Sequence, residues 1–191
     1  MNDDKKIIPD WMKDEPLKDI TCSSADCEND LHSFKRKRPR NGTYRNVVCR
    51  ECGANPIEWD RLDQLDLSDI DYTIRSLNLE MWRYYYWHGS IDERTVHHAQ
   101  KKGIDELIPW AINRLTKYVG KPSRELFRDG TQTPYAGNIV FYAQHATGCC
   151  CRKCIEEWHG INRNRPLKRE EISYFSDLIE QYIKRKIPNL S

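Results

Sequence analysis

Four cysteines and two histidines fall within the fifteen residues from His145 to His159, which read His-Ala-Thr-Gly-Cys-Cys-Cys-Arg-Lys-Cys-Ile-Glu-Glu-Trp-His. No other feature limits so strongly what this chain can fold into. Thiolate and imidazole are the ligands that hold a tetrahedral Zn²⁺, and they are rarely concentrated this way for packing alone. Cys151 and Cys154 have the two-residue gap of a metal-binding knuckle, with His145 six residues before the pair and His159 five after it. Cys150 competes with Cys151, because residues four apart share a helix face. The expectation is one zinc held by four of His145, Cys150, Cys151, Cys154 and His159, with Cys149 the least well placed thiol. The run Ile-Val-Phe-Tyr at 139–142 is β-branched and aromatic, so a strand is expected over 138–143. A strand-turn-helix cassette would then set the cysteines at a helix start, where the dipole favours thiolate.

The other four cysteines form a second pattern. Cys22 and Cys27, and Cys49 and Cys52, are two pairs with 21 residues between them. That is close to the spacing of zinc sites built from paired cysteines. Asn41-Gly42 between them is a strong hairpin signal, so strands near 31–38 and 43–49 would bring the pairs together. Gly53 follows Cys52, as a tight knuckle needs, because glycine accepts positive φ. Residues 21–59 thus resemble a zinc ribbon, with Cys22, Cys27, Cys49 and Cys52 as a structural zinc site.

Around these units the chain reads as an α+β protein. Residues 1–20 are a charged, irregular arm, and residues 60–191 a helical region ending in the Cys/His cassette. Ile70, Ile74, Leu77, Met81 and Tyr84 or Tyr85 recur at helical spacing. Ser68 and Ser90 are expected helix starts, with helices near 91–102 and 105–119. Residues 120–138 are loop. A last helix carries Ile172, Phe175, Leu178, Ile179, Tyr182 and Ile183 on one face. Only 38% of the residues are apolar and 31% are charged, so the core should be small and metal would help to hold it. The N-terminus lacks the apolar stretch of a signal peptide, and no run nears the roughly 20 apolar residues of a membrane span. A cytoplasmic protein is expected, in which eight cysteines serve as ligands and not as disulfides.

Three functions compete. The net charge is only +2, so nucleic acid would have to be met by a local patch. Lys35, Arg36, Lys37, Arg38, Arg40 and Arg45 supply one in the hairpin, with no acidic residue from Leu31 to Arg50 and with Phe34 and Tyr44 available to stack. Arg163, Arg165, Lys168 and Arg169 form a second basic run. A zinc enzyme is the alternative, with Glu156 or Glu157 as proton shuttle beside three ligands and a water. The H-x-E word of zinc deaminases is missing, since Thr147 stands where the glutamate belongs. The third reading is an adaptor that binds protein through the aromatic run Trp82, Tyr84, Tyr85, Tyr86 and Trp87.

Several words of the C-terminal part carry a family likeness: Phe-Tyr-Ala-Gln-His-Ala-Thr at 141–147, Cys-Cys-Arg-Lys-Cys at 150–154, Trp-His-Gly-Ile at 158–161 and Leu-x-x-x-Glu-Ile-x-Tyr at 167–174. Residues 137–187 resemble an uncharacterised prokaryotic and phage Cys/His domain family. The resemblance implies a domain and a site, not a reaction. It also implies that Cys150, Cys151 and Cys154 are the meaningful thiols, because that family lacks a cysteine at the position of Cys149. The combined expectation is a zinc-binding, nucleic-acid-binding accessory protein of a phage or mobile element.

Overall fold

The structure is a computed structural model and describes residues 20–36 and 47–190. It is mainly helical. Two short strands, β1 (Phe34–Lys35) and β2 (Val48–Cys49), pair antiparallel with Phe34 opposite Cys49. Among the described residues seven α-helices follow: α1 (Trp59–Leu62), α2 (Ile70–Leu77), α3 (Met81–His88), α4 (Glu93–Tyr118), α5 (Ile139–Ala146), α6 (Arg152–His159) and α7 (Arg169–Lys186). The expected hairpin tip at Asn41-Gly42 and the arm at residues 1–19 lie outside the described residues.

Helix α5 is the centre of the core and corrects the strand expected over 138–143. It packs against α3, α4 and α7, and all its residues except Phe141 are buried. A short apolar run enclosed on every side has no periodicity to separate strand from helix. What decides for helix is local and flanks the β-branched residues on both sides. Asn138 caps the first turn by accepting from the Val140 amide at 2.9 Å, and Ala143, Gln144 and Ala146 continue as good helix formers. The cassette is therefore helix-turn-helix.

The remaining helices follow their sequence patterns with shifted ends. The stripe from Ile70 to Tyr85 divides between α2 and α3. Helix α4 breaks at Gly103, which adopts φ 68° and ψ 168°, so two helical segments replace one, as the glycine suggests. Its start is capped by Asp92, which accepts from the Thr95 amide at 2.8 Å, and not by Ser90. Helix α7 buries Phe175, Leu178, Ile179, Tyr182 and Ile183 against α4 and α5. The aromatic run of α3 fills the core. Trp82, Tyr84, Tyr86 and Trp87 are buried and Tyr85 half-buried, so these rings do not form an exposed adaptor surface. Among the described residues no helix is long and apolar enough to cross a membrane.

The N-terminal strands dock on the helical region through one aromatic cluster. Trp158 of α6 meets Phe34 of β1 at 5.9 Å and Trp59 of α1 at 5.3 Å, ring centre to ring centre. Leu62 and Leu77 complete the cluster. Rings in edge and tilted contact add to the area they bury. The backbone reinforces this seam: His32 donates to the Leu79 carbonyl at 2.7 Å and accepts from the Met81 amide at 3.0 Å.

Candidate metal centres

Cys27, His32, Cys49 and Cys52 bring their ligand atoms within 4.8 Å of one another. Each arrives by a separate local device. Cys27 opens a 3-10 turn (Cys27–Asn29), and His32 sits in the bridge to Glu80. Cys49 ends β2, and Cys52 lies in a turn closed by the Gly53 amide on the Cys49 carbonyl at 3.1 Å. Gly53 has φ 76°, the conformation expected of it. Cys27 Sγ lies 3.7 Å from Cys49 Sγ, and Cys52 Sγ lies 3.5 Å from His32 Nδ1. The other ring nitrogen, Nε2, donates to Asp30 Oδ1 at 2.9 Å, which leaves the Nδ1 lone pair facing the thiols. A carboxylate behind an imidazole in this way fixes its tautomer for metal binding.

The fourth member of this group is His32, not Cys22. Cys22 lies apart, partly buried against the main core. Sequence reading by cysteine pairs passed over a histidine five residues after Cys27, although Asp30 just before it was a usable signal. The thiols differ electrostatically. Burial, then hydrogen bonds with Cys52 and Cys49, push Cys27 up to about 12. Burial also opposes ionisation of Cys49, but backbone hydrogen bonds from Ser33, Cys52 and Glu51 outweigh it and bring that thiol down to about 6. One thiol is thus prepared to ionise, and a bound cation would ionise the rest.

The second group is Cys150, Cys151 and Cys154, again with sulfur atoms within 4.8 Å of one another and all three residues buried. Cys151 is the N-cap of α6, and its Sγ accepts from the Cys154 amide at 3.4 Å. The pKa of each thiol is raised, because its hydrogen bonds with the other two pull in opposite directions and burial adds to the rise. Cys149 is also buried, but in the main core beside Thr147 and outside the group. The two histidines expected to ligate here are turned elsewhere. His145 Nε2 donates to the Pro134 carbonyl at 3.2 Å, and His159 Nε2 donates to the Thr147 carbonyl at 2.9 Å. Burial lowers both to about 3, so both rings are neutral. His145 is held by the loop before α5 and His159 by the turn between α5 and α6, which makes them packing residues of the cassette and not members of its thiol group.

A buried ion pair joins the two centres. Arg83 Nε lies 3.0 Å from Glu80 Oε2, and both side chains are almost completely buried. Arg83 Nη1 donates to the His145 carbonyl at 2.7 Å and lies 3.9 Å from Cys150 Sγ. Trp158 Nε1 donates to Glu80 Oε2 at 2.8 Å. Burial opposes the charge on Arg83, but Cys154, Glu80 and Cys150 outweigh it and its pKa rises. Glu80 is pushed up to about 7 by burial, against the pull of Arg83 and Trp158. The guanidinium is therefore the positive partner of the thiol group, and its carboxylate is flanked by the backbone of His32.

Other sequence candidates are placed as follows. Glu156 is engaged with Arg163, accepting from its amide at 3.2 Å and facing its guanidinium at 3.1 Å. Glu157 faces Arg50 at 3.7 Å, and burial raises its pKa. Neither belongs to a metal group. Of the basic hairpin residues, Lys35 is exposed. Arg36 is buried, because its guanidinium forks onto Asp63 and its Nε donates to the Glu157 carbonyl at 2.8 Å. It ties the N-terminal strands to α6 and is not free for phosphate. Lys37, Arg38, Arg40 and Arg45 lie outside the described residues. In the second basic run, Arg163 and Arg165 are paired with Glu156 and Glu171.

Fold and sites together define a helical protein with two Cys/His groups that could each hold a metal ion. The chain belongs to the family described as Domain of unknown function (DUF4186), whose model matches residues 71–184. That match contains the Cys150–Cys151–Cys154 group and leaves the Cys27–His32–Cys49–Cys52 group outside it. No solved structure matches the chain.

Proposed function

We propose that the protein binds zinc at both groups and serves as a nucleic-acid-binding accessory protein, with the first centre clamping the N-terminal strands onto the family domain. The geometry of that centre carries the reading. Zn–S and Zn–N bonds of about 2.3 and 2.05 Å at tetrahedral angles give edges of about 3.8 Å between sulfurs and about 3.6 Å between sulfur and nitrogen. The corresponding separations are 3.7 and 3.5 Å. Three thiols and one imidazole close a tetrahedral shell, the pattern of a structural site. Nucleic-acid binding is supported by the absence of any acidic residue between Leu31 and Arg50. Two equivalents of zinc per chain, falling to one in Cys49→Ser, are expected from elemental analysis. One equivalent or none in the unmodified protein would sink the two-centre scheme.

The second centre supports an enzyme reading as well, because three thiols leave one position on a tetrahedral ion for water or substrate. Glu156 and Glu157 are its candidate proton shuttles. Retention of every measured activity in Glu156→Gln and Glu157→Gln with zinc bound would remove that reading.

A further inference from the structure

Six large apolar side chains are exposed among the described residues, and five of them, Trp110, Ile112, Tyr118, Phe127 and Tyr135, lie in one stretch from the second half of α4 through the loop before α5. Phe127 is 82% exposed and Tyr135 59% exposed. Trp110 and Tyr118 lie on one side of α4 and Ile112 on the other, so the candidate contact surface is that of Trp110, Tyr118 and the loop that carries Phe127. The same stretch, residues 110–137, holds five Lys and Arg against two carboxylates, in a chain whose total charge is +2. One of those carboxylates, Asp129, faces inward and accepts from Ser123 Oγ at 2.6 Å and the Arg152 amide at 3.1 Å. Elsewhere Arg36, Arg61, Arg83, Arg163, Arg165 and Arg185 each face a carboxylate. Lys117, Lys121, Arg124 and Arg128 have no ion-pair partner among the described residues.

The surface is built, not incidental. Arg114 is buried and acts as its pillar. Its guanidinium lies 4.4 Å from the Phe141 ring, 4.6 Å from Tyr118 and 5.9 Å from Trp110. Arg114 also donates to Gln144 Oε1 at 2.8 Å and to the Gln132 carbonyl at 2.6 Å. Gln132 in turn donates to the carbonyls of Phe127 and Arg128 at 3.0 and 3.1 Å. This holds Arg128 at φ 46°, a left-handed conformation uncommon outside glycine. The loop thus fixes an exposed phenyl ring with a guanidinium 5.2 Å from its centre. Lys117 stands over Tyr118 at 5.1 Å. Exposed rings interleaved with cations that face no carboxylate fit a single strand, whose bases are free to stack and whose phosphates need neutralising. A duplex offers no free base faces.

We propose that the α4–α5 loop and the second half of α4 form a stacking platform for single-stranded nucleic acid, with Phe127 and Arg128 at its centre. This rests on the nucleic-acid reading above and moves the contact from the hairpin to another face. The test is fluorescence anisotropy of labelled oligo-dT and oligo-rU against the zinc-loaded full chain from 50 to 200 mM salt, with duplex of the same length as comparison. Four phosphate contacts predict a slope of log affinity on log salt of about −2.8 for a single strand. The Phe127→Ala/Arg128→Ala variant should bind about 5- to 150-fold more weakly, with the slope shallower by about 0.7. Phe127→Trp should keep the affinity, which a loss of fold would not allow. If the double variant binds like the parent while the Lys35→Ala/Lys37→Ala/Arg38→Ala/Arg40→Ala variant does not, the platform is refuted and nucleic-acid binding at the hairpin stands. If the parent binds no oligonucleotide, both readings fail. A parent dimer that Phe127→Ala dissociates would assign the surface to a second copy of the chain and overturn the proposal.

Discussion

Replacing Asp30 by Asn tests the first metal centre at its most specific point. Asp30 occupies the left-handed region at φ 59°, which Asn tolerates better than most residues, so the turn should survive. The carboxylate charge behind His32 Nε2 is lost. Removing such a partner typically lowers metal affinity 10- to 100-fold. The Asp30 side chain is 78% exposed, so water and salt already weaken its hold, and the low end, about 10-fold, is expected. His32→Ala removes the ligand itself and should abolish one equivalent of tight zinc. Cys22→Ser should leave both equivalents intact, because Cys22 is outside the group. The assay is competition with a chromophoric chelator, reading the equivalent that Cys49→Ser eliminates. Cys22→Ser costing as much as His32→Ala would refute the ligand set. Unchanged affinity in Asp30→Asn would refute the role given to the carboxylate.

Three further outcomes follow from the packing. Trp158→Phe keeps a ring in the aromatic cluster but removes the N–H that Glu80 accepts at 2.8 Å. Leaving a buried acceptor without this donor predicts a loss of about 2 kcal/mol in urea unfolding of the metal-loaded protein, and a loss under about 0.5 kcal/mol would contradict it. Gly160→Ala would place a Cβ 2.7 Å from Asp63 Oδ1 at a residue with φ 64°, straining the backbone and displacing the partner of Arg36. About 2 kcal/mol and a fall of roughly 5 °C in Tm are expected by calorimetry. Burial opposes the charge on Glu171, but Arg165 and the Lys168 amide outweigh it and hold its carboxyl below the ordinary 4.5. Its stabilisation is therefore complete above that ordinary value and is lost as pH falls through the lowered one. Glu171→Gln should flatten the acid limb of the stability curve, and an unchanged limb would show that this pair does not contribute.

The sequence by itself determined that two clusters of metal-type ligands exist and which helices carry apolar faces. Cysteine spacing reports local chemistry, and the stripe of α7 reports a face that must be buried, so both are legible without a fold. The glycines marked their turns for the same reason, as at Gly53 and Gly103. Membership of a cluster was not legible. His32 joins Cys27, Cys49 and Cys52 because its backbone is bridged to Glu80, a residue 48 positions away. His145 and His159 leave the cassette group because carbonyls of Pro134 and Thr147 capture their rings. Arg36 resembled a phosphate contact until Asp63 and Glu157 came within reach of it. The run at 139–142 resembled a strand because β-branched and aromatic residues serve equally well in a helix buried on all sides. In each case a local signal named the residue type, and a partner distant in sequence decided its role, because hydrogen bonds and ion pairs depend on distances that only the folded chain sets.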